Sequence, residues 1–389
     1  MTARVVAVAE PRAEYRERLA DDHGIEQPLR FSDWREAAAA PKMADAVFIT
    51  TQDALHADPA CAFADLGYHI LLEKPMAPDE ASCRRIVASA QRNGVLFAVC
   101  HVLRYTPYTR ALKSLVASGR LGDLVSLDRL EPVGWWHYAH SFVRGPWSVE
   151  ASSSPMLLSK SCHDMDWLRH IAGVPCRRVS SFGSLSHFRP EHKPAGAAHR
   201  CLDCAVERDC PYSALKLYLP LVRAGETGWP LDVLTARPDE ERILDVLRTG
   251  PYGVCVYDGQ NDVVDHQVVN LEFEGGVTAS FTMTAFTRAR ERQDRLFCTG
   301  AEVSGDGRFI EVFDFNRGQT ERIDSWAEGD QSGASGHAGG DAGIVKAFLQ
   351  AVVSNDPTPI LSNPTETLES HLMVFAAERS RREGRVVHM

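Results

Sequence analysis

Two side chains in this 389-residue sequence are placed to hold a hydroxyl and move its proton. Lys74 closes the apolar run "YHILLEK" (residues 68–74) and precedes Pro75, which biases the lysine toward extended backbone. An ammonium at the carboxyl tip of a strand can hold a substrate hydroxyl and favour its alkoxide during hydride loss. The plain alternative is a solvated lysine at the start of a helix. His163 sits in "SKSCHDMDWLRHIAG", which has helical periodicity through Met165, Leu168 and Ile171. An imidazole titrates near working pH and can take a proton from a carbinol. On one continuous helix, Ser159 and Asp166 share its face. The alternative is a helical histidine with satisfied bonds, the reading given to His56, His101 and His170.

A third group is of another kind. "HRCLDCAVERDCPYS" sets Cys201, Cys204 and Cys210 at C-x2-C-x5-C, with His199 two residues upstream. Three thiolates and an imidazole make a tetrahedral zinc site; three reduced thiols in a polar loop are the alternative. An iron–sulfur cluster needs a fourth cysteine, and none lies nearby in the sequence. At the other end of the chain, "RVVAVAE" ends on Glu10. Dinucleotide-binding folds use such a carboxylate on the cofactor ribose, about 20 residues after a glycine loop. Here only nine residues precede it.

The elements that must position these groups follow from periodicity. Residues 5–9, 45–51, 68–74 and 95–101 read as buried strands, with helical stretches between them closed by Gly24, Gly67 and Gly94. Alternation at this spacing predicts parallel β-α-β units in a doubly wound sheet, with ligands at the carboxyl edge. From about residue 105 longer strands take over, and "EFEGGV" (272–277) reads as a hairpin. This half is expected to be α+β with a large, mainly antiparallel open sheet. The domains are therefore 1–104 and 105–389, with an irregular, cysteine-containing insertion at about 187–252. A Gly-rich loop (330–343) precedes a C-terminal helical tail.

Composition narrows the function. The chain is 44% hydrophobic and 24% charged with a net charge of −10, so a folded protein without a nucleic-acid surface is expected. No apolar stretch approaches the ~20 residues of a membrane span. Ten cysteines, mostly solitary and without an export signal, suit reduced thiols in a cytoplasm.

Together, "ITTQDALHAD", "HILLEKPMAPDEAS", "SKSCHDMDWLRHIAG" and "FEGGVTASFT" resemble, in order and spacing, the Gfo/Idh/MocA oxidoreductases, over nearly the whole chain. The resemblance implies an NAD(P)-binding Rossmann domain and a sheet domain that carries substrate and often the oligomer interface. It implies a dehydrogenase acting on a secondary hydroxyl of a sugar, cyclitol or related polyol, with Lys74 and His163 catalytic. It assigns cofactor contacts to Glu10, Arg12, Thr51, His56, Glu73 and Lys74, and substrate contacts to Arg104, Lys160, Asp164 and His337. An acidic Glu10 favours NAD over NADP. Where many members carry an aspartate four residues before the histidine, this chain has Ser159. Either the Ser159 hydroxyl relays the proton or Lys160 acts as a second cation, unless Lys160 merely pairs with Asp164 on the surface. Two rivals are an NAD-assisted glycoside-cleaving enzyme and a cofactor-free binding or scaffold homologue. Partners are expected to be a small polyol or sugar and further copies of the chain, through the C-terminal sheet. Since Glu10 follows the second strand of such a fold, the first β-α unit and its glycine loop are expected to be missing, most simply through a start assigned too far downstream.

Overall fold

The computed structural model describes residues 3–326 and 337–389; the part of the Gly-rich loop at 330–336 lies outside the described residues. Five short parallel strands occupy the N-terminal part. β1 (Val8–Ala9) pairs with β2 (Arg30–Phe31), and β3 (Ala46–Ile49), β4 (His69–Leu72) and β5 (Phe97–Val99) form a second sheet in that order. Only the last two residues of the apolar run at 5–9 pair as a strand. The helices between these strands have ordinary local causes. Glu80–Arg92 starts on Asp79, whose carboxylate accepts from the Ser82 N–H at 2.8 Å, and Gly94 (φ 62°) turns the chain after it.

A nine-stranded sheet follows, built from β6 (Leu124–Pro132), β7 (Cys176–Ser184), β8 (His266–Phe273), β9 (Thr278–Thr284), β10 (Gln293–Cys298), β11 (Ala301–Gly305), β12 (Phe309–Asp314), β13 (Gln319–Asp324) and β14 (Val387–His388). Its order is β13-β12-β11-β10-β6-β9-β8-β7-β14, antiparallel except where β6 meets β9. The anticipated hairpin is present: β8 and β9 are joined through Gly275 (φ 78°) and Gly276 (φ 86°). Alternation along β8, with Val269, Leu271 and Phe273 buried, sets one face on a large core that also takes the helix Cys162–Ala172.

Two features depart from the sequence reading. Residues 187–252 are not irregular throughout: the helices Ala214–Arg223 and Glu240–Thr249 pack around Tyr218, Leu231, Ile243 and Leu247 as a small core of their own. The chain also does not divide cleanly at residue 104. The helix Gly340–Ser354 returns to the parallel sheet, where Ile344, Phe348 and Ala351 pack on Leu71 and Ala98. Gly340 and Gly343 permit that return, because a Cβ there would stand 2.5 Å from the Val102 carbonyl oxygen and 2.9 Å from the Tyr105 Cβ. The helix Pro364–Glu383 then lies across the junction, with Leu368 against the parallel sheet's core and Met373 and Val374 in the larger one. None of the described helices is long and apolar enough to cross a membrane.

Candidate active site

The turn after β4 is held from three sides. The Glu73 carboxylate accepts from the Lys74 N–H at 3.0 Å, His56 Nδ1 meets the Pro75 carbonyl at 2.8 Å, and the Met76 N–H donates to His371 Nε2 at 2.8 Å. His371 Nδ1 in turn contacts the Thr367 carbonyl at 2.8 Å, so one neutral tautomer satisfies both contacts. From this turn the half-buried Lys74 reaches the Ser159 carbonyl, 3.0 Å from its Nζ.

Ser159 and His163 do not share a helix. A short helix, Met156–Ser159, ends before Lys160, and a new one starts at Cys162. The Ser159 hydroxyl lies 3.2 Å from the Pro155 carbonyl of its own turn, so the hydroxyl relay is not formed. His163 is 4% exposed, and neither ring nitrogen has a hydrogen-bond partner. Burial, reinforced by the Lys74 charge, pushes its pKa well below the ordinary histidine value. The His163 ring lies 5.9 Å from that of His101 and 5.7 Å from that of His337, centroid to centroid. His337 thus reaches the site, its Nδ1 3.1 Å from the Asp341 carboxylate.

Several anticipated ligand contacts are instead braces. Arg104 is fully buried; it grips Asp166 with Nε and Nη2 at 2.7 and 2.8 Å, and also binds Glu366 and the Leu361 carbonyl. Asp164 is held by Arg129 and Arg292, each with Nε 2.7 Å from Oδ1, so it is neither a substrate ligand nor a surface partner of Lys160. His56 is fully buried with both ring nitrogens against backbone carbonyls, of Pro75 and Thr51, so it is a clip and not a cofactor contact. Lys160 turns toward Glu131, at 3.5 Å. Burial lowers its pKa, with the Arg292 and Lys74 charges adding to this and Glu131 opposing it.

Two further histidines join the site, one of them, His101, read from the sequence as a histidine with satisfied bonds. His101 is fully buried with both ring nitrogens unpartnered, and its Nε2 lies 3.6 Å from Asp166. Its position at the carboxyl end of β5 was the available signal. His137, from the aromatic stretch 134–142, feels the charges of Lys160 and Lys74; burial above all holds its pKa down to about 2. Beside it Trp136 and Trp229 form an aromatic wall, their ring centroids 5.3 Å apart.

The residues expected to meet a cofactor lie along the parallel strands' carboxyl ends. Glu10 follows β1, and its carboxylate takes Arg12 N, Nε and Nη2 at 2.8–3.0 Å, which lowers its pKa. Thr51 follows β3 with a buried hydroxyl that has no partner. Among the described residues, no glycine turn at these strand ends leads into a helix N-terminus for the pyrophosphate: Gly24, Gly67 and Gly94 all follow helices.

Residues 1–101 match the family model of the Gfo/Idh/MocA proteins, described as "Oxidoreductase family, NAD-binding Rossmann fold". That match covers the N-terminal parallel-sheet region, which is similar to the NAD-binding domain of those oxidoreductases. Similar proteins include the inositol 2-dehydrogenase of Streptomyces avermitilis, 34% identical over 50% of this chain and 52% of that one. The chain spans about half the length of the curated relatives it matches. Its fold is that of the Caulobacter crescentus aldose-aldose oxidoreductase solved with glycerol (TM-score 0.69, 16% identity, 100% and 92% of the two chains). It is also that of an Agrobacterium radiobacter oxidoreductase solved with NAD+, L-tartaric acid and magnesium (TM-score 0.69, 14% identity, 98% and 90%).

The zinc site drawn from Cys201, Cys204, Cys210 and His199 is corrected. The His199 side chain is 64% exposed, with its Nδ1 3.3 Å from Asp258. Among the described residues, no three His, Cys, Asp or Glu side chains are arranged to hold one ion. His199 is not among the residues that line the cavity around the three cysteines.

Proposed function

We propose that this protein is an NAD-dependent dehydrogenase that oxidises a secondary hydroxyl of a sugar, cyclitol or related polyol. The observation that carries this reading is a cation and an unpartnered, neutral histidine held near one another at the carboxyl edge of β4 and β5. Lys74 Nζ holds the substrate hydroxyl and favours its alkoxide. A ring nitrogen of His163 takes the hydroxyl proton, and burial keeps that ring neutral until it does so. Glu10 and Thr51 would hold NAD, which would supply the hydride acceptor. Lys160 adds a second positive charge near the developing alkoxide, and Trp136 and Trp229 offer ring faces to a sugar's C–H surface. The inositol and aldose specificities of similar proteins favour polyols of that size.

Glu10 favours NAD over NADP, because its carboxylate repels a 2′-phosphate. The exposed Phe182 and Val268, paired across β7 and β8, offer a contact face for further copies. Ten free cysteines suit a reducing, cytoplasmic compartment.

The test is a substrate screen that follows NADH formation over inositols, aldoses and sugar acids, with NAD and NADP in parallel. Net NADH with a free polyol, and less turnover with NADP, is the expected result. Cleavage of a glycoside without net NADH would overturn the reading.

A further inference from the structure

The insertion holds a thiol cluster that the dehydrogenase chemistry does not use. Cys201, Cys204 and Cys210 lie in one loop, and Cys255 comes from far along the chain. The isolated bridge between Arg200 and Val254, with the Cys255 N–H donating to the His199 carbonyl at 2.8 Å, zips the two segments side by side. All four cysteines then line one cavity of about 140 Å³, and all four thiols are free. In the same wall stands Arg144, 5% exposed, at the end of the π-helical turn Ala139–Arg144. Its Nη2 lies 3.5 Å from the Cys201 sulfur, while its Nε and Nη2 donate to the carbonyls of Val254 and Tyr212 at 2.8 Å. Among the described residues it forms no ion pair. Its hydrogen bonds go to neutral groups only, so a negatively charged occupant of the cavity would meet a buried cation in the wall.

A single ion does not fit. Zinc at about 2.3 Å from each sulfur would gather the sulfurs to within about 4 Å of one another. Here the four cysteines, drawn from two segments, line one cavity, and among the described residues no three His, Cys, Asp or Glu side chains are arranged to hold a single ion. An iron–sulfur cubane needs the opposite: four thiolates held apart around a core of several atoms. We propose that Cys201, Cys204, Cys210 and Cys255 ligate a [4Fe–4S] cluster, with Arg144 offsetting its negative charge. The cluster ties the loop at 199–213 to the segment at 252–257 and to the π-helical turn, and so fixes the insertion's small core.

The experiment is metal and sulfide analysis of the full chain, purified anaerobically and reconstituted with ferrous iron and sulfide. About four irons and about four sulfides per chain are expected, with a broad visible absorption that dithionite bleaches. Cys255→Ser should lose most of the iron, whereas His199→Ala and Cys176→Ser should keep it. If Cys255→Ser fails to fold by circular dichroism, the wild-type iron and sulfide count decides. Colourless protein with stoichiometric zinc, no metal after reconstitution, or full iron retention in a folded Cys255→Ser protein would each overturn the proposal. None of these readouts depends on dehydrogenase activity.

Discussion

At His163 burial and the nearness of Lys74 act in the same direction, since both disfavour the imidazolium, and no hydrogen-bond partner offsets them. The folded-state pKa therefore lies below the ordinary ~6.5, and the base form persists as pH falls through neutrality. The acid limb of kcat/KM is expected below that value, and removing the cation in Lys74→Met should move it upward. A limb at or above ~6.5 in the unaltered enzyme would contradict the assignment. Lys74→Ala and His163→Ala should each lower kcat by about 10²–10⁴-fold with unchanged circular dichroism. A near-normal rate in either variant removes that residue from the mechanism.

Among the elements, the Arg104 brace has the largest consequence. Burial alone would raise the Asp166 carboxyl, yet the guanidinium outweighs it and holds the pKa at about 2. The brace ties the turn after β5 to the His163 helix and, through Glu366, to the helix Pro364–Glu383. Arg104→Ala leaves two carboxylates without their cation and should destabilise the fold by about 3–5 kcal/mol. The denaturant midpoint checks this, while the substrate KM of the surviving folded enzyme should change little. A large KM increase at unchanged stability would restore Arg104 to the substrate. Gly343→Ala should also destabilise, because the Tyr105 side chain leaves no room for the new methyl.

For the whole molecule, buried neutral histidines make stability depend on pH. His101 is held down to about 3, by burial foremost, with the Asp166 charge only partly opposing. Below ~6.5 the unfolded chain takes protons that the folded one refuses, so stability present above that pH is lost on acidification. Each such histidine contributes a slope of about 1.4 kcal/mol per pH unit over that range. The Tm should fall between pH 7 and pH 5, and less steeply in His101→Gln; equal slopes would show that His101 is not the cause. The open sheet face makes a separate prediction: light scattering should show an oligomer, and Phe182→Asp should reduce its mass. A monomer in the unaltered protein would remove the sheet face as an interface.

Local rules made much of this legible beforehand. Strand-helix alternation, capping residues and the EFEGGV hairpin all depend on neighbours within a few positions, so the parallel strands, their helices and the β8–β9 turn could be read from order alone. Lys74 was visible for the same reason, as a charge ending an apolar run beside a proline. What distance in sequence conceals is which polar groups meet. Arg104 and Asp164 had the look of ligand residues until Asp166, Arg129 and Arg292 met them from other elements. His101 had the look of a core histidine until the packing left both its nitrogens bare. The fourth cysteine could not be found by spacing, because a bridge between Arg200 and Val254, not chain proximity, brings Cys255 to the other three. Burial sets which charges must be partnered, and only the packed chain decides what is buried.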